Sequence, residues 1–151
     1  VLDGVHPYRP LYRLQPKEYR DRVMERAGLL GIAADVFKPV RTFSGGMKRK
    51  LEIVRSLMHK PAVLFLDEPT AGLDVMSRRT LWQYLREVRE RSGTTLLLTT
   101  HYLEEAEDAD AVCIIDKGRI VAQGSPAQLK GTAGNALKLE DAYLRILADT
   151  G

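Results

Sequence analysis

Two short apolar runs, "AVLFL" at 62–66 and "TTLLLTT" at 94–100, flank one amphipathic stretch, and that arrangement limits the possible folds most. Residues 75–91 place Leu81, Leu85 and Val88 on one helical side, and "SG" closes the helix. Strand, helix, strand at this spacing is a βαβ unit, so the two strands run parallel with a right-handed crossover. The wholly apolar "AVLFL" predicts a strand buried on both faces, and "TTLLLTT" a second buried strand. The chain is α/β.

The remaining segments follow from the same periodicities. Residues 1–16 are rich in Pro, Tyr and Arg and show no clear period. "PKEYRDRVMERAGLLGI" sets Tyr19, Val23, Ala27 and Leu30 on one helical face. A second helix from Gly46 to about His59 stacks Met47, Leu51, Val54 and Met58, and Pro61 stops it. "HYLEEAEDAD" reads as a short acidic helix, and "AVCIIDKGRIVAQG" as a hairpin turning at Lys117–Gly118. Two helical pieces follow, around "SPAQLK" and "KLEDAYLRIL".

Composition narrows the class. With 151 residues, 44% hydrophobic and 28% charged, the chain can bury the core of one ordinary globular domain. No run approaches the roughly 18 apolar residues of a membrane-spanning helix. The single cysteine, Cys113, excludes an internal disulfide, and its place in "AVCII" predicts a buried, inert thiol. Residues 1–60 hold 13 Lys/Arg against 6 Asp/Glu. No aromatic residues interleave with that basic cluster as in single-strand binders, so a solvated helical face is expected rather than a nucleic-acid surface.

The segments that carry chemistry lie in loops. In "RTFSGGMKRK", Ser44 is placed to cap a helix, and Gly45 and Gly46 leave its N-terminal backbone open to close approach. Free amides at such an end attract an anion, phosphate above all. "FLDEPT" puts Asp67 and Glu68 at the carboxyl end of a strand, where one can help hold Mg²⁺ while the other orients or deprotonates water. "AGLD" follows with Asp74, and "TTH" ends the second strand with His101. Taken singly, the carboxylate pair reads as a solvated turn, Asp74 as an N-cap and His101 as a hydrogen-bonded histidine. In this order, after an SGG helix start and at the edge where open α/β sheets bind ligands, they converge on phosphate chemistry.

These stretches resemble the nucleotide-binding domain of ABC transporters. "FSGGM" is similar to the family's signature loop, "AVLFLDEP" to its Walker B strand, "AGLD" to its D-loop and "TTH" to its switch histidine. The resemblance implies a RecA-like P-loop NTPase sheet with a helical subdomain, here without the P-loop half. It divides the chain into a helical subdomain with the signature loop (1–60), the second half of the ATPase core (61–125) and a C-terminal helical tail (126–151). It implies ATP and Mg²⁺ as cofactors, with Asp67 contacting the metal through water and Glu68 polarising the attacking water. His101 would touch the γ-phosphate, and Asp74 would connect the halves of a dimer. Ser44, Gly45 and Gly46 would grip the γ-phosphate of ATP held by a second nucleotide-binding domain. A membrane-spanning permease subunit is the other implied partner, and the resemblance implies that the chain itself sits peripherally on the cytoplasmic face of the cell membrane. Met47 stands where many members have glutamine, but Ser44 and backbone make the implied phosphate contact.

The chain contains no "GK" dipeptide and hence no GxxxxGK[ST] phosphate loop. It also lacks the family's glutamine loop, Gln15 lying too near the signature. The expectation is a portion of an ATP-hydrolysing subunit that is inactive by itself. The other readings are a non-catalytic interaction fragment and an ABC-type ATPase outside transport. "SGGMKRKLEIVRSL", "TTHYLEEAEDAD" and "LEDAYL" look most like bacterial exporters of the drug-resistance type. In the family's fold, the P-loop strand separates the strand at 94–99 from "AVCII". A one-strand gap is therefore expected, with the hairpin at 111–122 not bonded to 94–99.

Overall fold

The computed structural model describes residues 15–134 and 136–150. The predicted irregular segment 1–16 lies, apart from its last two residues, outside them. The chain divides at Thr99/Thr100 into two compact units.

In the first unit, helix α1 (Pro16–Leu29) starts with proline at its first turn, where no intrahelical N–H bond is lost. Tyr19, Val23 and Ala27 recur every four residues and are buried, with Leu30 just beyond the helix end. A 3₁₀ turn (Val40–Thr42) delivers Phe43 into the core ahead of helix α2 (Gly45–Ser56). Leu51 and Val54 of α2 are buried as expected, and so is Met58. However, α2 ends at Ser56, short of His59; Leu57 caps it, so Pro61 is not what stops it.

Strand β1 (Val63–Asp67) and strand β2 (Thr95–Thr99) pair in parallel, in register from Val63 against Thr95 to Asp67 against Thr99. Helix α3 (Val75–Ser92) joins them as the crossover, with Leu81 and Leu85 fully buried. Gly93 ends α3 at φ 64°, the left-handed conformation that glycine adopts without a Cβ clash. The strands are not buried on both faces. Leu64, Leu66 and Leu96 turn into the core, whereas Val63, Phe65 and Leu97 are exposed, Phe65 at 72%. The helices of this unit fill one side of a two-stranded sheet, and successive residues of a strand point to opposite sides.

In the second unit, helix α4 (Leu103–Ala106) is the short acidic piece. Strands β3 (Val112–Asp116) and β4 (Arg119–Gly124) form the hairpin. Both turn residues, Lys117 at φ 48° and Gly118 at φ 76°, take the positive φ of a type I′ turn. Helix α5 (Pro126–Thr132) opens with a reciprocal capping box between Ser125 and Gln128, and helix α6 (Leu139–Thr150) follows. Ile114, Leu129, Ala133, Leu139 and Ala142 form this unit's core. Cys113 is exposed, contrary to the expectation of a buried thiol. It precedes the inward-facing Ile114, and the pleat sends it to the other side.

The described strands pair as two two-stranded sheets, β1 with β2 and β3 with β4. Each of these pairings lies within one unit. Among the described residues, no helix is long and apolar enough to cross a membrane.

Candidate active site

The parallel register brings the ends of β1 and β2 level, so Asp67 stands opposite Thr99 on the exposed side of the sheet. Thr99 Oγ1 donates a short hydrogen bond to Asp67 Oδ1 and accepts one from Glu68 N at 3.1 Å. One carboxylate oxygen of Asp67 is thereby fixed and the other left available for a further bond. Thr99 lay within the motif "TTH", but nothing in the sequence marked its hydroxyl as the group that orients Asp67.

Glu68 is where the strand breaks. Its φ of 43° is left-handed, a conformation costing an L-residue with a Cβ about 1 kcal/mol. Bonds on both sides hold it there. Glu68 N donates to Thr99 O at 3.1 Å, and Glu68 O accepts from Ala71 N at 3.1 Å and from Arg49 Nη2 at 2.9 Å. Arg49 Nη2 also donates to Asp67 O. A narrow cavity of about 170 Å³ lies here, lined among others by Arg49, Phe65 and Asp67.

Ser44 caps α2 as expected, its hydroxyl accepting from Met47 N at 3.2 Å. The two glycines differ. A Cβ on Gly46 would meet Leu73 Cδ2 at 3.0 Å, so this position is small because "AGLD" packs against it. Among the described residues, a Cβ on Gly45 would meet nothing within 4 Å. Asp74 caps α3, accepting from Ser77 N at 2.9 Å, and this bond holds its carboxyl below the usual value. Lys50 Nζ reaches Ser77 Oγ at 3.2 Å. The basic cluster after SGG is therefore not merely a solvated face: Lys48 is exposed, but Arg49 and Lys50 bond to the Asp67–Glu68 and Asp74 segments.

His101 belongs to the second unit, exposed, with its ring centroid 4.1 Å from that of Tyr102. Beside it Thr100 Oγ1 donates to Glu105 Oε2 at 2.6 Å and accepts from Tyr102 N at 3.0 Å, ordering the turn into α4. The first unit thus assembles Ser44, Gly45, Gly46, Asp67, Glu68 and Asp74 through α2, while His101 opens the second.

Among the described residues, no cluster of three or more His, Cys, Asp or Glu side chains is arranged to hold a metal ion unaided. Mg²⁺ is usually bound by one or two carboxylates together with substrate phosphates. An outward-facing Asp67 oriented through one oxygen suits that arrangement.

A family model described as "ABC transporter" matches residues 7–71. The daunorubicin/doxorubicin resistance ATP-binding protein DrrA of Streptomyces peucetius is 42% identical over 134 residues, covering 86% of this chain. The chain belongs to the ABC transporter ATP-binding family. It spans 40% of the length of DrrA. The Nod factor export ATP-binding protein I of Ralstonia nicotianae is 53% identical over 92 residues, 60% of this chain and 28% of that protein. Among solved structures, the ATP-binding subunit of an ABC transporter superposes with TM-score 0.83 at 26% identity, covering 96% of this chain and 61% of the other. A dimeric ATP-binding cassette bound to ADP and Pi shares the fold, with TM-score 0.73 at 23% identity over 82% of this chain and 55% of its own. The ABC fold is thus the α/β architecture of this chain, in part.

Proposed function

We propose that this chain is the signature-loop and catalytic-carboxylate portion of an ATP-hydrolysing ABC subunit that powers export across a membrane. The observation that carries this reading is Gly45. The described fold gives no steric reason for glycine, since among the described residues a Cβ there meets nothing within 4 Å and its φ is not positive. A bare backbone at the start of α2, beside a hydroxyl-capped helix end, suits the approach of a phosphate from outside the chain. In this reading the phosphate is the γ-phosphate of ATP on a second subunit, gripped by Ser44, Gly45 and Gly46.

Asp67 would meet Mg²⁺ through water, and that ion would neutralise charge on the nucleotide's phosphates. Glu68 would polarise the attacking water with its carboxylate, from a backbone already fixed in the left-handed conformation. His101 would hydrogen-bond the γ-phosphate, and Asp74, which caps α3, would touch the other half of the dimer. The likeness to DrrA, named for daunorubicin/doxorubicin resistance, and to the Nod factor export protein supports the exporter character; a membrane-spanning permease partner and a place at the cytoplasmic face of the membrane belong to the same reading. With no GxxxxGK[ST] loop in its sequence, residues 1–151 alone would lack the amide nest and lysine for the β-phosphate.

The test uses a subunit in which residues 1–151 follow a phosphate-binding loop. Gly45→Asp places a carboxylate against the incoming triphosphate. Loss of ATP-driven dimerisation with the circular dichroism spectrum unchanged is expected; unchanged dimerisation would rule out the signature role.

A further inference from the structure

We propose that Arg49 is a positioning residue for Glu68: its guanidinium, donating to the carbonyls of Asp67 and Glu68, keeps Glu68 in the left-handed conformation that directs its carboxylate out of the strand end. The proposal rests on the reading of Glu68 as the water-polarising group.

The argument begins with the strand. Had Glu68 kept extended backbone, it would continue the alternation of β1, and its side chain would emerge on the face opposite Asp67. The left-handed φ of 43° breaks that alternation and is disfavoured for glutamate. Something must hold the two flanking peptides. On the amino side Glu68 N is bound by Thr99 O and Thr99 Oγ1, both at 3.1 Å. On the carboxyl side Ala71 N supplies one donor at 3.1 Å, and Arg49 Nη2 supplies a charged one at 2.9 Å. Arg49 touches the carbonyls on both sides of the break, because it also binds Asp67 O. Charge-assisted bonds are about twice as strong as neutral ones, and a planar guanidinium can serve two carbonyls at once.

Arg49 is itself anchored. It sits on α2, one turn beyond the SGG start, and Nη1 reaches Glu52 Oε2 at 3.4 Å. The segment proposed to sense a partner's phosphate and the peptide that aims Glu68 are therefore joined through one side chain. Such a link allows nucleotide contact at Gly45 to be felt at Glu68 of the same chain.

The experiment is amide hydrogen exchange on the 151-residue chain without nucleotide, so it does not depend on hydrolysis. Arg49→Met keeps the aliphatic stem and removes every donor. Exchange at Glu68 and Ala71 is expected to rise about tenfold, with Val23 and Leu81 in the core unchanged. Arg49→Lys, which retains one charged donor, is expected to restore part of that protection. Glu52→Gln, which cuts only the ion pair, is expected to leave residues 68–73 as in the parent.

Unchanged exchange at Glu68 and Ala71 in Arg49→Met would overturn the proposal. So would loss of protection at Val23 and Leu81 in both arginine variants, which would make Arg49 a general fold contact. In the subunit joined to a phosphate-binding loop, Arg49→Met is expected to lower kcat about tenfold with KM for ATP within about twofold. A local rise in exchange with kcat unchanged would also overturn the positioning role. Normal turnover of Glu68→Gln would instead overturn the reading of Glu68, leaving the backbone clamp intact.

Discussion

Replacing Tyr84 by phenylalanine is expected to stabilise the first unit and to remove a loss of stability at alkaline pH. Tyr84 projects from α3 into the core, 3% exposed, and its hydroxyl has no hydrogen-bond partner among the described residues. A buried donor without a partner retains its desolvation cost, so deleting the oxygen is expected to yield about 0.5–1 kcal/mol. Burial is also the main cause that pushes the phenol from 10.0 up to about 12, with Glu25 and Glu87 adding to it and Arg26 opposing. Above its ordinary value the unfolded phenol releases its proton while the folded one keeps it. Stability is therefore full below about pH 10 and lost as pH rises toward 12, reaching about 1.4 kcal/mol of loss at pH 11. Urea unfolding followed by Trp82 fluorescence at pH 8 and pH 11 measures this in parent and variant. Other tyrosines and lysines contribute equally to both proteins, so the difference between them isolates Tyr84. Equal losses in the two proteins, or a variant less stable by more than about 1 kcal/mol at pH 8, would refute the reasoning.

Three further outcomes can be checked independently. The 151-residue chain is expected to show no Mg·ATP turnover, and hydrolysis abolished by Glu68→Gln would contradict this. Glu107, held below its ordinary value chiefly by the Lys130 ammonium and then by Leu139 N, contributes stability above that value and loses it as pH falls. Glu107→Gln is expected to flatten the acid limb of unfolding as pH falls through and below the ordinary carboxylate range and to cost about 0.5–1 kcal/mol at pH 7, solvent screening keeping it small. Gly45→Asp is expected to leave the fold intact while blocking ATP-driven dimerisation of the longer subunit.

The parts legible in the sequence were those set by local chemistry. Period and punctuation gave the crossover from β1 through α3 to β2, the Ser44 and Asp74 caps and the Lys117–Gly118 turn, because each depends on residues a few positions apart. Burial was harder. "AVLFL" and "AVCII" are apolar throughout, and composition alone does not tell which face of a strand is covered; Phe65 and Cys113 proved exposed. The supports of the candidate site were hidden for another reason. Arg49 and Glu68 are 19 positions apart, and Thr99 and Asp67 are 32 apart. Such contacts arise only when α2 and the two strand ends are packed together. A run such as "MKRK" reads the same whether its charges face water or grip a carbonyl. Gly46 likewise matched a motif, but its contact with Leu73 required coordinates.

The central claim is that Glu68 polarises the attacking water from a site completed by nucleotide. It is tested most directly by single-turnover hydrolysis of ATP in the subunit that joins residues 1–151 to a phosphate-binding loop, parent against Glu68→Gln. The amide keeps the shape and the backbone bonds but lacks the carboxylate's charge and basicity. The account predicts that the variant binds ATP as tightly as the parent and dimerises around it, while cleavage slows by about 10²-fold or more. Cleavage at the parent rate would contradict it.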